Sequence, residues 1–71
     1  MNVKNRIREL RFAAGEMTQQ QLADAIGVTR QTVNAIEGGK YSPTLEVAFQ
    51  IAAVFGVPLD QVFTYDAPKR R

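Results

Sequence analysis

The chain has 71 residues, enough for one small domain near the lower limit of what folds on a single core. It contains no cysteine and no histidine, which excludes disulfides and thiolate metal sites and removes the commonest general base and metal ligand. The net charge is only +2, but the cations cluster, with Lys4, Arg6, Arg8 and Arg11 near the start and Lys69, Arg70 and Arg71 at the end. Basic clusters exert a sequence-independent pull on phosphate; the terminal one serves either that pull or solubility. No apolar run is long enough to span a bilayer, and the basic N-terminus is not followed by an unbroken apolar segment, so a cytoplasmic protein is expected.

In chain order, a first helix is expected over Val3 to Ala14, with Val3, Ile7, Leu10 and Ala14 on its inner stripe, Phe12 off it and Gly15 as its end. Met17 is an apolar lead-in to a second helix capped by Thr18, with Gln21 in the capping-box position. Leu22, Ala23 and Ile26 form the inner stripe of that helix, and Gly27 ends it as the residue able to take positive φ. Val28 is an apolar plug in the turn. Thr29 caps a third helix with Val33 and Ile36 facing inward, stopped by Gly38 and Gly39.

Pro43 marks the next loop, since it biases Ser42 away from helix. Thr44 then caps a fourth helix running to Phe55 and stopped by Gly56, with Glu46 well placed in its first turn. Its core positions are Leu45, Ala48, Ile51, Ala52 and Phe55. Val57-Pro58 opens a short fifth helix over Leu59 to Phe63 that lacks a side-chain oxygen cap. Thr64-Tyr65 are β-prone and could form one short extended segment. Residues 1–66 thus read as one all-α domain, a compact five-helix bundle, and residues 67–71 as a basic, disordered tail.

The outer surface of the third helix is unusual. Arg30, Gln31, Thr32 and Asn34 gather near its N-terminal end. Arginine suits guanine O6 and N7, while glutamine and asparagine suit adenine N6 and N7; Thr32 and Ala35 lie near enough for a thymine methyl. A second helix offering its first residues to the major groove is the helix-turn-helix docking mode.

Taken together, Arg11, Thr18-Gln19, Leu22-Ala23, Gly27-Val28, Thr29-Arg30-Gln31-Thr32, Ile36-Glu37, Gly39-Lys40, Pro43-Thr44-Leu45, Ile51-Ala52 and Gly56-Val57 resemble the Cro/C1-type (XRE-like) helix-turn-helix domain, the class of the lambdoid phage repressors. The resemblance spans about Ile7 to Phe63. It implies a lambda-repressor-like DNA-binding fold with a recognition helix over residues 29–37. It also implies that Arg11 pairs with Glu37 and lies close to a phosphate, and that the loop after the recognition helix touches the DNA backbone. Lys40, Tyr41 and Ser42 are then the loop contacts, and Thr29 and Gln19 hold phosphates at the helix starts, Gln19 from the other side of the groove with help from the amides there. The loop Gly15-Glu16-Met17 is one residue longer than the family's usual spacing, and Pro58 stands where its members often carry a serine cap.

Catalysis finds no support. The seven carboxylates are scattered, Ser42 has no histidine to activate it, and Gly38-Gly39 lack the Lys-Ser or Lys-Thr of a phosphate loop. Neither a metal, a cofactor nor a small-molecule ligand is expected. The leading reading is a small transcriptional regulator, a repressor, that binds double-stranded DNA as a homodimer on an inverted repeat. Val47, Phe49, Val54, Phe63 and Tyr65 form an apolar surplus suited to the dimer face, although core packing explains Val47 and Tyr65 equally well. The competing reading is a protein-interaction module, such as an antitoxin or controller subunit, using the same surplus.

Overall fold

The computed structural model describes residues 3–65; the basic tail expected over 67–71 lies outside the described residues. The elements in order are β1 (Val3–Asn5), α1 (Ile7–Ala13), α2 (Gln19–Ile26), α3 (Arg30–Glu37), α4 (Leu45–Phe55), a single 3-10 turn (Leu59–Gln61) and β2 (Phe63–Tyr65). The domain is mostly helical, but four α-helices and a two-stranded sheet stand where five helices were expected.

The difference arises at the two ends. Val3–Asn5 is a strand rather than the first turn of helix 1. It pairs antiparallel with β2 in the register Val3↔Tyr65, Lys4↔Thr64 and Asn5↔Phe63. The Arg6 N–H continues the ladder to the Val62 carbonyl at 2.9 Å. The β-branched Val3 and the Phe63-Thr64-Tyr65 run favour extended backbone, and each strand satisfies the other. At the far end, Pro58 offers no side-chain acceptor and the helix closes after one 3-10 turn. Val62 is fully buried, and Phe63 already belongs to β2.

Local capping explains the central helices. Thr18 and Gln21 form a reciprocal box: the Gln21 N–H donates to Thr18 Oγ1 at 3.0 Å and the Thr18 N–H to Gln21 Oε1 at 2.8 Å. Gly27 takes φ 74°, a conformation costly for any residue with a side chain, and turns the chain into Thr29. Thr29 Oγ1 accepts the Thr32 N–H at 3.1 Å. Gly39, at φ 77°, lets the Lys40 N–H return to the Ala35 carbonyl at 2.9 Å. Thr44 caps α4 through the Val47 N–H at 3.2 Å.

The core joins all the helices: Ile7 from α1, Leu22, Ala23 and Ile26 from α2, Val33 and Ile36 from α3, Ile51 and Ala52 from α4, and Val62 beyond. Several expected positions sit differently. Ala14 is exposed, and Val3 and Leu10 are only half-buried. Leu45 is 67% exposed, because the buried stripe of α4 begins a turn later, at Ala48. Val47, Val54, Phe55 and Phe63 pack against the core edge, which widens the buried side of α4. Val47, Val54 and Phe63, expected on the dimer face, are thus half-buried. Phe49 and Tyr65 remain 53% and 58% exposed.

Asn5 joins the sheet to the helices. Its Oδ1 accepts the Ile7 N–H at 3.2 Å, opening α1. Its Nδ2 donates to the Ile36 and Glu37 carbonyls at 3.0 and 3.3 Å, in the last turn of α3, where the Ile36 carbonyl also accepts the Gly39 N–H at 3.0 Å. Asn5→Ala is therefore expected to lower unfolding stability by about 1–3 kcal/mol. Asn5→Asp, which keeps the acceptor and loses the donor, should fail to rescue it. Urea denaturation of the two variants checks both.

Candidate nucleic-acid interface

α2 and α3, joined by Gly27-Val28-Thr29, present one polar surface. Val28 is half-buried against the core, so it fixes the turn as a plug. Val33 and Ile36 anchor α3 from beneath, with 1% and 2% of their surfaces exposed. Arg30, Gln31 and Asn34 are left on the outside. Thr32, expected beside them, is half-buried, and its hydroxyl lies 3.0 Å from that of Thr29. Lys40, Tyr41 and Ser42 are all exposed on the loop that follows. The expected readers Arg30, Gln31 and Asn34 and the expected loop residues Lys40, Tyr41 and Ser42 are thus all open to solvent.

Beneath that surface lies a charged network. Arg11 Nε donates to Glu37 Oε2 at 2.8 Å and Arg11 Nη2 to Glu37 Oε1 at 3.1 Å. Arg11 Nη1 donates to the Met17 carbonyl at 2.7 Å. A planar guanidinium holds a carboxylate in this two-pronged way better than any other side chain. Arg11 is buried, with 7% of its surface exposed, and the Phe12 ring centroid lies 5.5 Å from its Cζ. Three of the five guanidinium N–H groups of Arg11 point at Glu37 and Met17, inside the domain, and only the others remain for the expected phosphate. Arg11 ties α1, the loop and α3 together.

Gln19 also departs from expectation. Its Nε2 donates to Glu37 Oε1 at 2.7 Å and to Asn34 Oδ1 at 3.1 Å. Both amide protons are committed, so any phosphate contact at the start of α2 falls to backbone N–H groups of its first turn. The roles of Asn5, the Met17 carbonyl and the Gln19 amide went unread in the sequence. An asparagine just ahead of a helix is a capping signal, but it was hidden by the expectation that the helix began at Val3.

Burial by itself would raise the carboxyl of Glu37. The hydrogen bonds from Arg11 and Gln19, with the charges of Arg11 and Arg8, outweigh it and hold the group below its ordinary 4.5. A lowered folded value means that Glu37 contributes stability above the unfolded value, and that this contribution disappears as pH falls through the folded one. Urea denaturation from about pH 7 down to about pH 3 should show that loss beginning near 4.5. Glu37→Gln leaves a buried guanidinium without its counter-charge. It should cost on the order of 3 kcal/mol at neutral pH and abolish this part of the acid dependence.

Comparison with known proteins agrees with this geometry. The helix-turn-helix family model matches residues 7–62. An uncharacterized HTH-type transcriptional regulator of Methanocaldococcus jannaschii is 47% identical over 64 residues, covering 90% of this chain and 96% of its own. The regulator YgzD of Bacillus subtilis, also uncharacterized, is 44% identical over 61 residues, covering 86% and 91%. The cryptic phage CTXphi transcriptional repressor RstR of Vibrio cholerae is 36% identical over 58 residues, covering 82% of this chain and 51% of that protein. In fold, a DNA-binding candidate from Bacteroides fragilis superposes with a TM-score of 0.76 at 24% identity, over 87% of this chain and 98% of the other. The chain belongs to the helix-turn-helix family of the Cro/C1 type, whose members are DNA-binding transcriptional regulators.

Proposed function

We propose that this regulator reads a specific duplex by laying α3 in the major groove, with Arg30, Gln31 and Asn34 at base edges. The observation that carries the reading is the division of α3 into two sides. Val33 and Ile36 are almost wholly buried, while the three polar side chains one turn apart stand outside. The guanidinium of Arg30 matches guanine O6 and N7, and the amide of Gln31 matches adenine N6 and N7. Thr32 and Ala35, both half-buried, offer methyl groups to a thymine. Lys40, Tyr41, Ser42 and Thr29 hold phosphates and set the register, assisted by the free N–H groups at the start of α2.

One such domain reads about four to six base pairs, too few for selectivity in a genome. A two-fold dimer on an inverted repeat with half-sites about one helical turn apart supplies the remainder. The dimer surface that best suits a second copy is the apolar hollow between β2, the 3-10 turn and the start of α4. Val3, Leu59, Phe63 and Tyr65 line one end, and Pro43, Leu45 and Ala48 the other. It adjoins Ser42, so a copy docked there stands beside the loop that faces the DNA backbone. Bound across a promoter, such a dimer acts as a repressor.

Arg30→Ala and Gln31→Ala should each cost about 1–3 kcal/mol in affinity and relax selectivity at one base pair, as read by selection from random duplexes. Equal losses on every sequence would show that these residues are not readers. Lys40→Ala should weaken all sequences alike and flatten the dependence on log salt by about one unit; an unchanged slope would remove it from the phosphate set. Sedimentation at micromolar concentration should show a dimer that Leu45→Asp or Tyr65→Asp weakens. A strict monomer both free and on DNA would refute the two-fold arrangement and leave the hollow to a different protein.

A further inference from the structure

Among the described residues, the exposed side chains of Arg8, Arg30 and Lys40 make no hydrogen bond or ion pair within the domain. Arg30 and Lys40 are assigned to the duplex in the reading above. Arg8 has no role there, yet it is held in place. Its Cζ lies over the Phe12 ring, 5.6 Å from the centroid, and Arg11 Cζ lies 5.5 Å from the same centroid. Residues 8, 11 and 12 share one side of α1 by the three- and four-residue spacing of a helix. Phe12 is 51% exposed, and two guanidinium groups share its ring. The charge of Arg11 is answered by Glu37 at 2.8 Å. The charge of Arg8 is left over.

A continuous line of contacts joins this left-over charge to the reading helix. Gln19 Nε2, on the first residue of α2, donates to Asn34 Oδ1 at 3.1 Å and to Glu37 Oε1 at 2.7 Å. Glu37 holds Arg11, and Arg11 shares the Phe12 ring with Arg8. Burial pushes the Glu37 carboxyl up, while the bonds from Arg11 and Gln19 and the charges of Arg11 and Arg8 pull it down. The charge of Arg8 is therefore felt at the carboxylate that Gln19 touches, which puts Arg8 on the side of α3 where α2 begins.

We infer that Arg8 grips a phosphate of the duplex backbone beside the start of α2, and that Phe12 is the platform that holds it ready. The inference rests on α3 being the reading helix. The major groove is about 12 Å wide, and a cation set to one side of a base reader meets the sugar-phosphate wall of that groove. A guanidinium over a ring gives up none of its N–H groups to an acceptor, so all five donors of Arg8 stay available for a two-pronged hold on phosphate. The ring limits the wandering of a long side chain and costs it no donor. Phe12 is thus a positioning residue for affinity, and Arg8 adds its charge to a backbone contact that the N–H groups of α2 begin.

The test is a salt titration of binding, with the full chain and a duplex selected from a random pool, on wild type, Arg8→Ala, Arg6→Ala and Phe12→Leu. Arg8→Ala should weaken binding by on the order of tenfold at low salt and flatten the dependence on log salt by about one unit. The selected sequence should stay the same. Arg6→Ala removes an equal charge two residues away, on a side chain that faces Gln61 at 3.5 Å, and should leave the slope unchanged. Phe12→Leu keeps both arginines and should weaken binding about two- to fivefold with the slope retained, a split that a general loss of stability does not produce. An unchanged slope in Arg8→Ala, equal flattening in Arg6→Ala, or a changed preference at one base pair in Arg8→Ala would each overturn the phosphate contact while the reading by α3 survives. Wild-type affinity in Phe12→Leu would overturn the platform. Failure of the wild type to retain any duplex at low salt would overturn the inference and the DNA reading together.

Discussion

The arrangement depends on the ion pair between Arg11 and Glu37. α3 is only eight residues long, too short to be stable alone, and two buried side chains hold its underside. The pair fastens its last turn to α1, and the third donor of Arg11 fastens the loop that leads into α2. One guanidinium thereby sets the relation between both halves of the helix-turn-helix unit. Such a buried pair adds little net energy over a well-packed apolar one, but removing either partner is expensive. Its contribution here is geometry: it fixes where the end of α3 sits and which way the amides above it face.

A second constraint comes from the chain ends. β1 and β2 bring the first and last described residues together, and Asn5 extends that junction to the carbonyls at the end of α3. The end of the reading helix is thus held from one side by Arg11 and from another by Asn5. The first turns of α3 are held more lightly, by the Thr29 cap, the plug at Val28, the buried Val33 and the bond from Gln19 to Asn34. That asymmetry suits a helix whose first turns must stay open to a duplex while its last turn is locked.

What the sequence made legible was local. The caps at Thr18, Thr29 and Thr44, the positive φ at Gly27 and the inward stripe of Leu22, Ala23, Ile26, Val33 and Ile36 each follow from residues within about one turn of each other. The β1–β2 pairing was invisible for the opposite reason. Its two strands are three residues each and about sixty residues apart in the chain, and Val3 fits the helical stripe of Ile7 and Leu10 just as well. Leu45 misled in a similar way: it has the right period but belongs to a first turn that the core does not reach. The site was read at the level of residue type. Arg30, Gln31 and Asn34 stand outside, as their chemistry suggested. The inward commitment of Gln19 could not be read, because it depends on a carboxylate eighteen positions away.

The central claim is that the first two turns of α3 are the surface that meets DNA. The most direct measurement is a backbone amide NMR titration of the full chain with a duplex selected for binding. The account predicts that the largest shifts fall on Thr29 to Asn34, with a second group on the first turn of α2 and around Lys40, and that the buried Val62 amide stays still. Shifts confined to α4 and β2, with Thr29 to Asn34 unmoved at saturation, would contradict it.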